Sequence, residues 1–193
     1  MKTEKTVIVI FIIGLLAKFF DIPGCEILLI ISSAILSIIY FPLSFYFFSD
    51  KTLKTQNIPL SIAGGMFISI TVLGILFKLM FWPGAAIQLF AGIITMPILL
   101  LVTFLLFKNL KNNDLVVYYK NYLLRTIFWT VLCFVSFTLS NKQLLQIQHR
   151  GNPELVQLKM NAYFNNSNIE AKQALDNYYR RRDSLYLVNE RNQ

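Results

Sequence analysis

Two short turns, sixty residues apart, each separate a pair of long apolar runs. One lies in the stretch GLLAKFFDIPGCE from Gly14 to Glu26, and the other in GILFKLMFWPGAA from Gly74 to Ala86. Proline fixes φ and glycine permits positive φ, so each Pro-Gly pair predicts a tight connection between antiparallel helices. Apolar runs of about 20 residues are long enough to cross a bilayer as α-helices. The chain is therefore predicted to be an all-α integral membrane protein.

The composition agrees with this class. Of the 193 residues, 55% are hydrophobic and only 15% are charged, whereas soluble domains average roughly 45–50% apolar residues. Nearly half of the charges fall in the last fifty residues. We therefore predict a transmembrane domain over residues 1–140 and a polar helical tail over residues 141–193.

Five transmembrane helices are predicted, as two tandem antiparallel hairpins plus one. They are expected at Val7–Phe20, Glu26–Phe48, Leu60–Phe81, Ala86–Phe107 and Tyr122–Leu139, which makes hairpin repeats of 7–48 and 60–107 and a fifth helix within 122–140. Pro42 predicts a kink in the second helix, and Pro97 lies inside the fourth. Arg125 is expected to snorkel from the fifth helix toward the preceding loop. No small-residue cleavage site follows the first run, so we expect a retained helix.

Lysines set the expected orientation. They occur at the N-terminus and in the two longer loops, whereas the Pro-Gly turns have only Lys18 and Lys78 just before them. The positive-inside rule then places the N-terminus and both long loops in the cytoplasm of a bacterium, with the protein in its inner membrane. Five spans would leave the tail in the periplasm. The lysine excess of the cytoplasmic segments explains the formal net charge of +8. No nucleic-acid partner is therefore expected.

The tail has clear helix signals. His149-Arg150-Gly151 predicts a helix stop, and Asn152-Pro153-Glu154 predicts a new helix with Asn152 as its N-cap. Residues 165–168 are expected to break that helix, and a last helix is predicted from Ile169 to about Asn189. Its apolar stripe is too thin for an independent core, which favours docking on a partner, on a second copy or on the membrane-proximal surface.

The two hairpins share the pattern Gly-x-x-x-Lys-x-x-x-x-Pro-Gly at identical spacing. Gly14, Lys18, Pro23 and Gly24 correspond to Gly74, Lys78, Pro83 and Gly84. Because each copy contains an even number of helices, the copies share one orientation, as in membrane proteins with parallel repeats.

The stretch FKLMFWPGA from Phe77 to Ala85 resembles the hairpin signature of GldL, the inner-membrane stator subunit of the gliding and type IX secretion motor of Bacteroidota. In that family the first helix ends in Phe-Lys-x-x-His-Trp-Pro-Gly-Ala. The resemblance implies a membrane hairpin in the cell envelope, with Lys78 at the position of the family's lysine. Phe81 occupies the position of its histidine, and the family's second-helix glutamate has no counterpart between Ala85 and Phe107.

Four polar residues are candidates for a function inside the membrane: Lys18, Lys78, Asp21 and Glu26. A lysine there could bind an anion or form a switch with a carboxylate. Alternatively, each lysine snorkels to the outer interface and anchors its helix. Asp21 or Glu26 could pair with Lys18 across the first hairpin.

The turn motif itself comprises Pro23, Gly24, Trp82, Pro83 and Gly84, with Trp82 most simply part of an interfacial aromatic belt. One histidine and two separated cysteines predict no metal site, and no cofactor motif is present. The chain is therefore predicted not to be an enzyme.

Three functions fit these features. The first is a structural or interaction subunit of a cell-envelope complex, with the lipid bilayer and either a second copy or a membrane or periplasmic protein as partners. The second is a proton- or ion-coupled stator or transport protein related to the gliding motor. The third is an accessory or sensor protein with an extracytoplasmic tail.

Overall fold

The computed structural model describes residues 2–20, 22, 24–48, 57–110, 115–164 and 169–191. Its regular elements in these ranges are all helices. They are α1 (Lys2–Phe19), α2 (Cys25–Tyr40), α3 (Ser44–Phe47), α4 (Ile58–Leu79), α5 (Ala85–Lys108), α6 (Val116–Thr138), α7 (Asn141–Gln148), α8 (Pro153–Tyr163) and α9 (Ile169–Arg191). The all-helical prediction is confirmed for this part of the chain.

The chain divides into two compact units. One comprises Met1–Lys18 and Ile22–Leu139, and the other comprises Phe19–Asp21 and Ser140–Gln193. The first unit holds the apolar helices, and the second holds the polar helices of the tail.

Three helices among the described residues, α4, α5 and α6, are long and apolar enough to cross a membrane. They identify the chain as a membrane protein. Helix α1 has 18 residues but includes Lys2, Glu4, Lys5 and Lys18, and α2 has only 16 residues. Length and composition therefore support three of the five predicted spans.

The second predicted helix is not one continuous element. Helix α2 ends at Tyr40, and Phe41 takes an extended conformation with φ −144° and ψ 116°. The residue before a proline is disfavoured in the helical region because the proline ring clashes with its backbone. The predicted kink at Pro42 is therefore a break, after which the chain makes only the short helix α3.

The two turns share a backbone conformation. Gly24 and Gly84 have φ values of 82° and 90° and cap the N-termini of α2 and α5. The amide of Ile22 donates to the carbonyl of Ala17 at 3.1 Å, and the amide of Trp82 donates to that of Phe77 at 2.8 Å. These bonds span the same five residues at the ends of α1 and α4 and satisfy carbonyls left open there. Asp21 and Pro23 lie outside the described residues.

Small residues let the helices of the first unit approach one another closely, both within the hairpins and between α4 and α6. A Cβ added at Gly14 would lie 3.2 Å from the Leu29 side chain, whereas one added at Gly74 would lie 3.2 Å from the backbone nitrogen of Leu89. Gly64 is tighter still, since an added Cβ would lie 1.5 Å from the hydroxyl oxygen of Tyr122. These glycines allow close packing of the kind found between membrane helices.

Helix α6 begins six residues before the predicted start at Tyr122. Tyrosines of its first turns hydrogen-bond the start of α4, which favours helix over loop in this segment. The Tyr118 hydroxyl lies 2.7 Å from Ser61 Oγ and donates to the Asn57 carbonyl at 3.1 Å. The Tyr122 hydroxyl donates to the Leu60 carbonyl at 3.0 Å.

The tail contains the predicted helix signals. Asn152 caps α8, where its side chain accepts from the Leu155 amide at 3.2 Å and Pro153 occupies the first turn, so this prediction is confirmed. The predicted stop is also confirmed, since α7 ends at Gln148. Leu155, Ala162 and Leu175 form a small apolar cluster between α8 and α9. Helix α9 extends to Arg191, two residues beyond the predicted end, and the predicted break at 165–168 lies outside the described residues.

Candidate functional site

A buried ion pair joins the start of α1 to α6. The Arg125 guanidinium donates from Nε to Glu4 Oε1 at 2.6 Å and from Nη2 to Oε2 at 2.7 Å. The side chains are only 13% and 2% exposed. The expectation that Arg125 snorkels toward the loop is wrong, because a carboxylate within the fold supplies the partner that a buried charge needs.

Two aromatic residues extend this pair into a network. The Tyr40 hydroxyl donates to Glu4 Oε1 at 3.2 Å and accepts from Trp129 Nε1 at 3.0 Å. The Arg125 guanidinium also lies 4.9 Å from the ring centroid of Phe48, a favourable cation–π distance. The network therefore connects four parts of the first unit. They are α1, the last residue of α2, Phe48 directly after α3, and α6.

An open groove of about 580 Å³ lies beside this network, between α1 and α6. Glu4, Lys5 and Arg125 supply its charged lining, and Ile8 and Phe128 belong to its apolar lining. The paired carboxylate of Glu4 thus borders a space that reaches the surface of the first unit.

The candidate residues of the first hairpin form a second ion pair. The Lys18 ammonium contacts Glu26 Oε1, with the lysine side chain 8% exposed and the glutamate side chain 56% exposed. The predicted pairing of Lys18 across the turn is confirmed for Glu26, while Asp21 lies outside the described residues. The pair holds the end of α1 to the start of α2.

The second hairpin lacks this arrangement. Ala86 stands at the position that corresponds to Glu26. Lys78 is partly buried near the end of α4. In the turn that follows, the Trp82 ring meets that of Phe77 edge-on, with 5.2 Å between the ring centroids. Trp82 remains 40% exposed, while Pro83 lies in the turn. Anchoring of these residues at the outer interface stays a prediction.

The sequence contains a signal for two members of the buried network. Glu4 is the only acid before the first apolar run, and Arg125 is the only charge within the fifth. A charged side chain within or beside an apolar membrane helix usually pairs with a side chain of opposite charge. Tyr40 and Trp129 gave no comparable signal, because aromatic residues also occur in interfacial belts without such partners.

Within the described ranges, no group of three or more His, Cys, Asp and Glu residues could hold a metal ion. Cys25 and Cys133 are buried and are not joined in a disulfide. No protein-family model, curated protein or solved structure matches this chain.

Proposed function

We propose that this protein is a non-enzymatic, five-pass subunit of the bacterial inner membrane that scaffolds or contacts other components of a cell-envelope complex. In this proposal α1 and α2 also cross the membrane, in addition to α4, α5 and α6. The N-terminus and long loops lie in the cytoplasm, as the positive-inside rule favours. The Pro-Gly turns and the tail lie in the periplasm.

The proposal rests on the ion pairing of the carboxylates in the first unit. Among the described residues of the first unit, the carboxylates are those of Glu4 and Glu26, and both are ion-paired. Glu4 also accepts a hydrogen bond from Tyr40. Groups held in this way fix the positions of helices, which is the property a scaffold needs.

An apolar stripe on α5 supplies a surface for lipid or for a neighbouring subunit. It is formed by exposed side chains three or four residues apart, at Ile87, Phe90, Ile94, Ile98, Leu101 and Leu105. That spacing places them on one face of the helix along most of its length. A helix that also packs on α4 and α6 can thus present one face outward from the unit.

Co-purification tests the scaffold role. The full chain, extracted in a mild detergent from its native host, is expected to retain a membrane or periplasmic protein, or a second copy, at fixed stoichiometry. Replacing Ile94 and Ile98 by alanine should weaken that association, while replacing Ile62 on the exposed face of α4 serves as a matched control. A monodisperse monomer without any partner would contradict the scaffold role.

Topology is tested separately by labelling single cysteines with a membrane-impermeant reagent. Cys25 and Cys133 are first replaced by alanine. Cysteines at Ile22 and Trp82 are then expected to react in intact spheroplasts, and cysteines at Thr52 and Asn112 only after lysis. The reverse pattern would refute the proposed orientation.

A stator-type function related to GldL is the second candidate. The open groove beside Glu4 favours it, because a proton could reach that carboxylate from outside the fold. Proton uptake into proteoliposomes should then be lost in the variant Glu4→Gln and in the double variant Lys18→Gln/Lys78→Gln. Lys5→Gln, which changes an exposed charge in the same groove, should keep it. Equal uptake in all variants and in empty vesicles would exclude this candidate.

A further inference from the structure

The tail contains a cavity of about 660 Å³, open to the surface, along α7 and α8. Its basic lining comes from Lys142 on α7, His149 at the helix end and Arg150 in the following turn. The positions of these residues follow from the local fold, since the chain turns at His149–Asn152 before α8 begins. Basic groups from two parts of the tail therefore line one space.

The charge of this space is one-sided. The nine residues that line the cavity, all of them described, include no carboxylate. A further cation stands next to the lining, because the Lys159 ammonium lies 2.9 Å from His149 Nε2. Gln146, Gln157 and Asn161 add amide groups that can donate hydrogen bonds. The cavity is therefore suited to a group that is anionic and accepts several hydrogen bonds.

The volume of the cavity and its remaining lining residues restrict the class of ligand further. Pockets for small molecules commonly measure about 300–1,000 Å³ and combine apolar walls with a few placed polar groups. Val156 and Met160 provide apolar walls here. A bare inorganic anion would leave most of this volume unfilled, whereas an anion attached to a carbon skeleton would use both kinds of lining.

We propose that the cavity formed by Lys142, His149, Arg150 and the amides of α7 and α8 binds a phosphate-bearing small molecule or lipid headgroup. An arginine fork matches phosphate oxygens in a two-point contact, and a lysine adds a mobile point charge. The amides complete the hydrogen bonds, and the apolar wall contacts the carbon part of the ligand.

The test uses the full chain in nanodiscs of phosphatidylcholine. Inorganic phosphate is titrated against chloride at equal ionic strength by calorimetry, and sn-glycerol 3-phosphate is titrated in the same way. In a second arm, native mass spectrometry counts the lipids retained after reconstitution in phosphatidylcholine alone and with about 30% phosphatidylglycerol, a fraction that gives an anionic surface.

The key variant is Lys142→Gln/Arg150→Gln. Its matched control is Lys172→Gln/Arg180→Gln, which removes the same charge from exposed positions of α9 outside the cavity. Loss of two charged hydrogen-bond partners should weaken binding about tenfold or more. The control should bind like wild type, and circular dichroism should show equal helix content in all three proteins.

Binding of the soluble phosphates without added lipid retention assigns the site to a free phosphorylated compound. Selective retention of phosphatidylglycerol without binding of the soluble phosphates assigns it to a lipid headgroup. Two results would overturn the proposal: a wild type that binds none of these probes, or equal losses in the cavity variant and the α9 control.

Discussion

Removing one partner of the ion pair between Glu4 and Arg125 should strongly destabilise the first unit. With the two side chains 2% and 13% exposed, replacing either one alone leaves a buried charge without its partner. At an effective dielectric of about 20 and about 4 Å between charge centres, the attraction amounts to about 4 kcal/mol. Removing one partner of such a pair typically costs about 3–5 kcal/mol. We expect Arg125→Met to lower the free energy of unfolding by that amount, and Glu4→Leu to lower it by about 1–3 kcal/mol more, because it also removes the acceptor of the Tyr40 hydroxyl.

The double variant Glu4→Leu/Arg125→Met should be far less damaging than the sum of its parts. Both charges are then absent, so the desolvation cost disappears together with the attraction, and an apolar pair of similar volume is often neutral. Tyr40 loses its acceptor in this variant, which should cost about 1–3 kcal/mol. We therefore expect the double variant to unfold more like wild type than like either single variant.

Equilibrium unfolding in mixed micelles, followed by circular dichroism, measures these differences as a double-mutant cycle. Trp129 fluorescence gives a local readout, because its Nε1 belongs to the same network. Lys5→Gln, at an exposed neighbouring position, is the control and should change stability little. Single variants that each cost under about 1 kcal/mol and add independently would refute the reasoning, because exposed pairs behave in that way.

Three further predictions concern the hairpins and use the same unfolding assay. Glu26→Gln should cost under about 1 kcal/mol, because its side chain is 56% exposed; a loss above 3 kcal/mol would show that burial of Lys18 controls the pair. Phe81 has a φ of 57°, so Phe81→Gly should be more stable than Phe81→Ala by about 1 kcal/mol, and equal stabilities would indicate that the turn relaxes. Gly74→Ala should be more destabilising than Gly14→Ala, because its new methyl group would meet backbone rather than a movable leucine side chain; the opposite order would contradict this packing.

Local chemistry made the turns and the tail predictable. A Pro-Gly pair restricts the backbone at its own position, and both Gly24 and Gly84 have the positive φ that glycine permits. Asn152 before Pro153 likewise defines a helix start through groups only three residues apart. The limits of α4 and α5 lie within two residues of the predicted ones for the same reason.

The main differences between the predicted and the observed structure arise where contacts with a distant part of the chain determine the local structure. Arg125 and Glu4 are 121 residues apart, so their pairing depends on how α1 and α6 pack and not on either local sequence. The early start of α6 similarly depends on Tyr118 reaching α4. A proline does not by itself determine whether a helix ends, since α5 continues through Pro97 while α2 ends before Pro42.

The two hairpins share a sequence pattern but are stabilised by different means. In the first, ion pairs fasten both ends of α1: Glu4 to Arg125, and Lys18 to Glu26. In the second, Ala86 replaces the acid, and Gly74 allows α4 to approach the backbone of α5. A charge pair can be broken by a competing charged group, whereas close packing of small residues offers no such point of attack. If the protein changes conformation during its function, α1 is thus the helix whose attachment a charged partner could alter.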